Sequence, residues 1–241
     1  MNADPTRLRA LVFDVFGTVV DWRGSVAREV AAVAATHGVA VDAGAFADAW
    51  RAGYAPAMQK VASGAVPWTR IDALHRQILD AIVPFFGLDG LDEGERAQLN
   101  LAWHRLEPWP DAVAGLQRLK RLGPIATLSN GNVSLLVDLA RHGGLPWDAV
   151  LSAELIEKYK PDPAVYRMAA RLLDVAPDAL LMVAAHPSDL DAARRAGLKT
   201  AYVVRPLERG PGRAPEAVEA GRFDWQASDF NDLASQLGGS S

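Results

Sequence analysis

Five short stretches of the chain are almost continuously apolar: residues 10–14 (ALVFD), 124–129 (PIATLS), 149–153 (AVLSA), 179–185 (ALLMVAA) and 200–204 (TAYVV). None alternates cleanly between apolar and polar positions. That pattern predicts strands covered on both faces. Helical patterns separate the later four. Residues 133–142 run into Gly143 and Gly144, a helix stop, and residues 163–173 open with Pro163 behind Asp162, a cap and first-turn pair. Residues 189–196 end at Gly197. Strand, helix, strand in repetition predicts an α/β fold, a doubly wound parallel sheet with helices on both sides.

The first interval differs. Between residue 14 and the second predicted strand the pattern is helix after helix, with no buried strand. The expected organisation is a core of residues 1–23 plus 106–241, with a helical cap of residues 24–105 inserted after the first strand. Residues 221–241 predict a short strand or turn and a last helix, with the final GGSS disordered.

Composition narrows the class. Of 241 residues, 25 are Lys or Arg and 29 Asp or Glu, so 25 − 29 = −4, which leaves no basic footprint for nucleic acid or an anionic membrane. With no cysteine, disulfides, thiolate metal sites and Cys nucleophiles are excluded. No apolar run approaches the roughly 18 residues of a membrane span, and no secretory signal is visible, so a cytoplasmic protein is expected. His37, His75, His104 and His142 are scattered without metal-ligand spacing, and GxGxxG, P-loop and GxSxG patterns are absent.

Ligands of open parallel sheets bind beyond the carboxyl ends of the strands. Those ends deliver Asp14, followed by Val15, Phe16, Gly17 and Thr18; then Ser129 and Asn130; then Lys160 behind the third; then His186 and Asp189 behind the fourth. A carboxylate, a hydroxyl–amide pair, an ammonium and a second carboxylate converge on one crevice.

This constellation (VFDVFGTV, LSNG, YKPDP, AAHPSD) resembles the haloacid dehalogenase superfamily across essentially the whole chain, cap included. The resemblance implies a Rossmann-like core. Most of that superfamily are magnesium phosphatases with Asp-x-Asp in the first motif, but here the second position is Phe16, and Ala185 stands where a further metal-binding Asp is usual. The sequence is closer to the metal-free L-2-haloacid dehalogenase branch: Phe16, Trp50–Arg51, Ser129–Asn130–Gly131, Lys160–Pro161–Asp162 with Tyr166, and Arg205–Pro206 all match it. It departs at Ala184 and His186, where the branch has Ser and Asn.

The resemblance implies hydrolysis of short (S)-2-haloacids to (R)-2-hydroxyacids through an ester on Asp14, without metal or cofactor. Lys160 would hold Asp14 ionised, with Thr18 bonding it. Ser129, with backbone amides near Val15, Phe16 and Asn130, would bind the substrate carboxylate, and Arg51 the departing halide. Trp50, Tyr54 and Phe16 would wall the site. Asp189 and His186 would position the attacking water or deprotonate it, with Tyr166 in their network. A tighter, positively charged pocket at His186 would extend the range to fluoroacetate. A homodimer is usual in the branch. The competing readings are a phosphatase for a small phosphate ester, disfavoured by Phe16, and a non-catalytic binding protein, disfavoured by joint retention of Asp14, Ser129, Lys160 and Asp189.

Overall fold

The computed structural model describes residues 8–238. Its centre is a five-stranded, wholly parallel sheet in the order β4-β1-β5-β6-β7, formed by β1 (Ala10–Phe13), β4 (Ile125–Thr127), β5 (Leu180–Ala184), β6 (Lys199–Val203) and β7 (Trp225–Ala227). Both faces are buried, as the unbroken apolar runs require. Leu11 and Phe13 join the core on one side, with α6 (Ala112–Leu119), α7 (Val133–Gly143) and α10 (Phe230–Gly238). Ala10 and Val12 join the core on the other, with α8 (Pro163–Leu172) and α9 (Pro187–Arg195). A period of two on a fully buried strand thus serves two cores. The predicted last strand and helix are β7 and α10. Of the terminal GGSS, Gly238 is the last residue of α10, against the disorder expected there, and residues 239–241 lie outside the described residues.

One predicted strand is not there. Residues 149–153 contribute only isolated bridges, Ala126 with Ala149 and Ser129 with Ser152. Thr127 is the physical reason. Its hydroxyl donates to the Leu151 carbonyl and accepts from the Leu151 amide, both at 2.9 Å, taking the groups a further ladder would need.

Between β1 and β4 lie α1 (Trp22–Thr36), α2 (Ala43–Ala52), α3 (Tyr54–Ala62), α4 (Ile71–Ile82) and α5 (Glu93–Asn100). Their starts are written locally: Asp21 and Asp42 accept from the amides of Gly24 and Ala45, and Asp92 with Glu95 forms a capping box. The two ends of this helical segment meet in a short antiparallel pair, β2 (Val20–Asp21) with β3 (Glu107–Pro108).

Candidate active site

The carboxyl ends of β1, β4 and β5 bring the sequence constellation together. The Asp14 amide donates to the Val183 carbonyl, continuing the sheet register and setting its side chain at the sheet edge. Asp14 is 7% exposed. Its Oδ1 accepts from Lys160 Nζ at 2.8 Å, and its Oδ2 from the Thr18 hydroxyl at 2.7 Å, with His186 Nδ1 at 3.0 Å. Lys160 Nζ also donates to Asp189 Oδ2 at 2.6 Å, and the Tyr166 hydroxyl to Asp189 Oδ1 at 2.5 Å. Thr18 is a brace: while donating to Asp14 it accepts from the Ala185 amide at 2.9 Å.

Burial alone would raise the Asp14 pKa. The Lys160 ammonium, with hydrogen bonding and charge from His186, outweighs it and holds the carboxyl well below the usual carboxylate range. Burial opposes the charge on Lys160, but Asp14 and Asp189 push its pKa above the ordinary lysine value. His186 follows the same logic. Burial would discharge it, yet hydrogen bonds to Asp14 and Glu208 push its pKa up to about 10. At neutral pH the imidazole is therefore an acid and a donor. That geometry favours a donor over the water-deprotonating base considered from the sequence.

A cavity of about 290 Å³ opens in front of Asp14, lined among others by Phe16, Arg51, Tyr54, Asn130, Lys160, Tyr166, His186 and Asp189. Arg51 reaches it from the end of α2. Its guanidinium stacks over the Tyr54 ring at 4.3 Å, and its buried Nη1 finds no hydrogen-bond partner among the described residues. A buried charged donor without a hydrogen-bond partner is costly, and the aromatic face of Tyr54 is what the guanidinium has in its place.

The Trp50, Val15 and Ser129 side chains are not among those that line the cavity, although for Val15 it was the backbone amide that was expected to bind. Trp50 is fully buried, donating through Nε1 to the His75 carbonyl and packing edge-on against Trp103. It is adjacent to Arg51 on one helix, and neighbours there point about 100° apart, so one faces the cavity and the other the core. The Val15 side chain also lies in the core, its carbonyl accepting from the Val19 and Val20 amides. Ser129 is fully buried behind the wall, its hydroxyl accepting from the Gly131 amide at 3.1 Å. Asn130 does reach the cavity, while its Oδ1 accepts from the Lys160 amide at 2.8 Å and so fixes the loop that carries the ammonium.

Two residues escaped the sequence reading. His75 is fully buried, stacked on Trp103 at 4.2 Å behind Phe16 and Tyr54, and burial pushes its pKa down to about 3. It is a neutral member of the aromatic wall. Glu208 lies 2.8 Å from His186 Nε2. No strand end or familiar spacing announces it.

A divalent cation has no vacant carboxylate pair here, because the Lys160 ammonium already lies between Asp14 and Asp189. No group of three or more His, Cys, Asp or Glu side chains suited to a metal occurs among the described residues, and no helix there is long and apolar enough to cross a membrane.

Residues 8–197 match the family of haloacid dehalogenase-like hydrolases. The chain is 32% identical to (S)-2-haloacid dehalogenase 1 of Pseudomonas sp. (strain CBS-3), covering 82% of this chain and 85% of that one. It is 31% identical to (S)-2-haloacid dehalogenase 4A of Burkholderia cepacia, covering 94% and 93%. Among solved structures, a defluorinating L-2-haloacid dehalogenase superposes with a TM-score of 0.93 at 45% identity, covering 99% of each chain.

Proposed function

Because the chain belongs to the haloacid dehalogenase-like hydrolases, and is similar to L-2-haloacid dehalogenases over nearly its full length, we propose that it hydrolyses the carbon–halogen bond of short (S)-2-haloacids. The observation that carries this reading is that two groups line one cavity: a buried, ionised Asp14, and a guanidinium, that of Arg51, with an unpartnered N–H. A nucleophile sharing a cavity with an anion cradle suits displacement of a halide from carbon.

Asp14 Oδ1 is held by one donor and Oδ2 by two, so Oδ1 is the freer to attack C2. The carbon–halogen bond breaks as the Oδ1–C2 bond forms, with inversion, and the halide leaves toward Arg51. Lys160, pinned to both Asp14 and Asp189, keeps the nucleophile ionised and aimed. Asn130 and the backbone amides after β1 and β4 hold the substrate carboxylate, with Ser129 shaping that turn. Water then attacks the Asp14 carboxyl carbon, with Asp189 accepting its proton. Residues 24–105 act as a cap over the core of residues 1–23 plus 106–241, supplying Arg51 and Tyr54.

The test is halide release from L-2-chloropropionate and chloroacetate in EDTA, beside p-nitrophenyl phosphate with Mg²⁺. We expect chloride release undiminished by the chelator, a D-2-hydroxyacid product and no phosphatase activity. Phosphate release without halide release would replace this reading by the phosphatase one. Activity lost in EDTA and restored by Mg²⁺ would remove the metal-free part.

Fluoroacetate belongs to the same proposal. A 45% identical relative is described as defluorinating, and Arg51 offers a fixed fork of donors to a small, basic leaving group. His186 takes no direct part, because both its ring nitrogens are engaged by carboxylates. Fluoride-electrode assays should record defluorination slower than dechlorination. Complete absence of fluoride release beside rapid dechlorination would confine the substrate range to the heavier halogens.

A further inference from the structure

Glu208 stands in the loop that leaves β6, and it is 9% exposed. Its Oε1 lies 2.8 Å from His186 Nε2 and accepts from Trp22 Nε1 at 3.2 Å. The loop is fixed in place. The Glu208 amide donates to the Arg205 carbonyl, and Arg205 donates from Nε to the Thr18 carbonyl at 2.8 Å and from Nη1 to Asp111 at 2.6 Å. Gly17, at φ +82°, lies directly beneath: a Cβ there would overlap Glu208 Oε1. The turn after the nucleophile and the Glu208 carboxylate are thus built around each other. His186 bridges two carboxylates, Asp14 on Nδ1 and Glu208 on Nε2. Only a ring with hydrogens on both nitrogens satisfies both.

We propose that Glu208 is a positioning residue that holds His186 as an imidazolium, whose Nδ1–H joins the Thr18 hydroxyl as the donor pair for the oxyanion formed during ester hydrolysis. This rests on the aspartyl-ester reading above. Once Oδ1 has bonded to C2, Oδ2 is the carbonyl oxygen of the ester and Asp14 is uncharged. Water adds to Cγ and gives a proton to Asp189, and the carbonyl π pair moves onto Oδ2. Collapse restores the carbonyl and breaks Cγ–Oδ1. The departing alkoxide takes the proton from Asp189, the new carboxyl releases its proton to solvent, and Asp14 retains one oxygen from water. Negative charge therefore resides on Oδ2 in the resting enzyme and again in the tetrahedral intermediate. Donors preorganised for the first serve the second without rearrangement. In the ester Asp14 no longer supports the imidazolium, and Glu208 is the carboxylate that still does.

The charged surroundings of His186 are Asp14 and Lys160 on the cavity side and Asp189 on its own helix. Behind it Glu208, Arg205, Arg209, Arg213 and Glu216 ring a small recess, and Arg51 acts on Glu208 across the site. The folded-state pKa of His186, about 10, lies above that of a free imidazole. Ester hydrolysis should therefore fall as pH rises through the value His186 has in the ester. Withdrawing Glu208 moves that descending limb to lower pH. A His186 acting as general base makes the opposite demand, a rate that climbs with pH.

Rapid-quench measurements with L-2-chloropropionate across pH separate these cases. In Glu208→Gln we expect ester hydrolysis about 100-fold slower. Chloride then appears as a one-equivalent burst before a slow steady state, the descending limb lies at lower pH, and Glu208→Asp recovers part of the rate. An unchanged rate and limb overturns the proposal. So does equal loss of burst and turnover with the limb unmoved, or hydrolysis that climbs with pH. In the substrate-free protein, ¹⁵N NMR should find the His186 ring doubly protonated at about pH 8, and singly protonated in Glu208→Gln. A singly protonated ring in the unsubstituted protein overturns the imidazolium even if halide is released. If that protein releases no halide from any 2-haloacid, the dehalogenase reading itself fails, and the oxyanion role falls with it.

Discussion

Asp14→Asn is expected to lower turnover by about 10⁴-fold or more while leaving the protein folded. An amide keeps the shape of the carboxylate and is a far poorer nucleophile. The fold should survive because no neighbour is stranded: Lys160 retains Asp189, His186 retains Glu208, and Thr18 retains the Ala185 amide. A thermal melt checks that half. The chemical half is checked by isotope. Repeated turnover in ¹⁸O-water should place label in the Asp14 carboxylate, read by mass spectrometry of the peptide that contains it, because water adds to Cγ and one of its oxygens stays. Label found only in the hydroxyacid would mean that water attacks C2 directly, and the ester scheme would be lost.

The ionic arrangement explains why one carboxylate can be so exposed to chemistry and still stay charged. Asp14, Asp189 and Glu208 face Lys160, His186 and Arg51. Two of the cations are each held between two carboxylates, whereas Arg51 makes no ion pair among the described residues. Such rings offset the desolvation of each member only while complete. In the proposed reaction the substrate carboxylate and the departing halide would both bring negative charge, and Arg51, without an ion pair among the described residues, has capacity for it.

Much of this was written plainly in the sequence, for a topological reason. A parallel sheet places the residue after each strand at one edge, so Asp14, Asn130, His186 and Asp189 could be read together once the strands were found. The failures have physical causes too. Residues 149–153 carry the apolar pattern of a strand, but the Thr127 hydroxyl takes the Leu151 backbone groups and the ladder stops at bridges. Trp50 stands beside Arg51 in the chain, and helix geometry turns it away from the cavity. Glu208 was invisible because it follows β6 by several loop residues and gains its meaning from His186, Trp22 and Gly17, distant in sequence and adjacent in space. The charge state of His186 could not be read without Glu208.

Arg51→Lys is expected to reduce kcat for chloroacetate about 100-fold, with a smaller change in KM. Lysine keeps the charge but loses the planar fork, and its ammonium cannot stack on Tyr54 as the guanidinium does at 4.3 Å. If Arg51 stabilises charge that develops on the leaving halogen, its loss acts on the transition state more than on substrate binding. The penalty should also follow the leaving group. It should be largest for fluoroacetate, whose halide is small and basic and needs the most stabilisation, and smallest for bromoacetate. A structural role predicts the reverse pattern, equal losses for every halogen with a lowered melting temperature. Arg51→Met separates the two. Removing a buried guanidinium whose Nη1 has no partner should leave the substrate-free protein as stable as before or slightly more so, while abolishing defluorination. Melting temperatures measured beside fluoride, chloride and bromide release would decide, and a destabilised variant with undiminished halide release would remove Arg51 from the halide site.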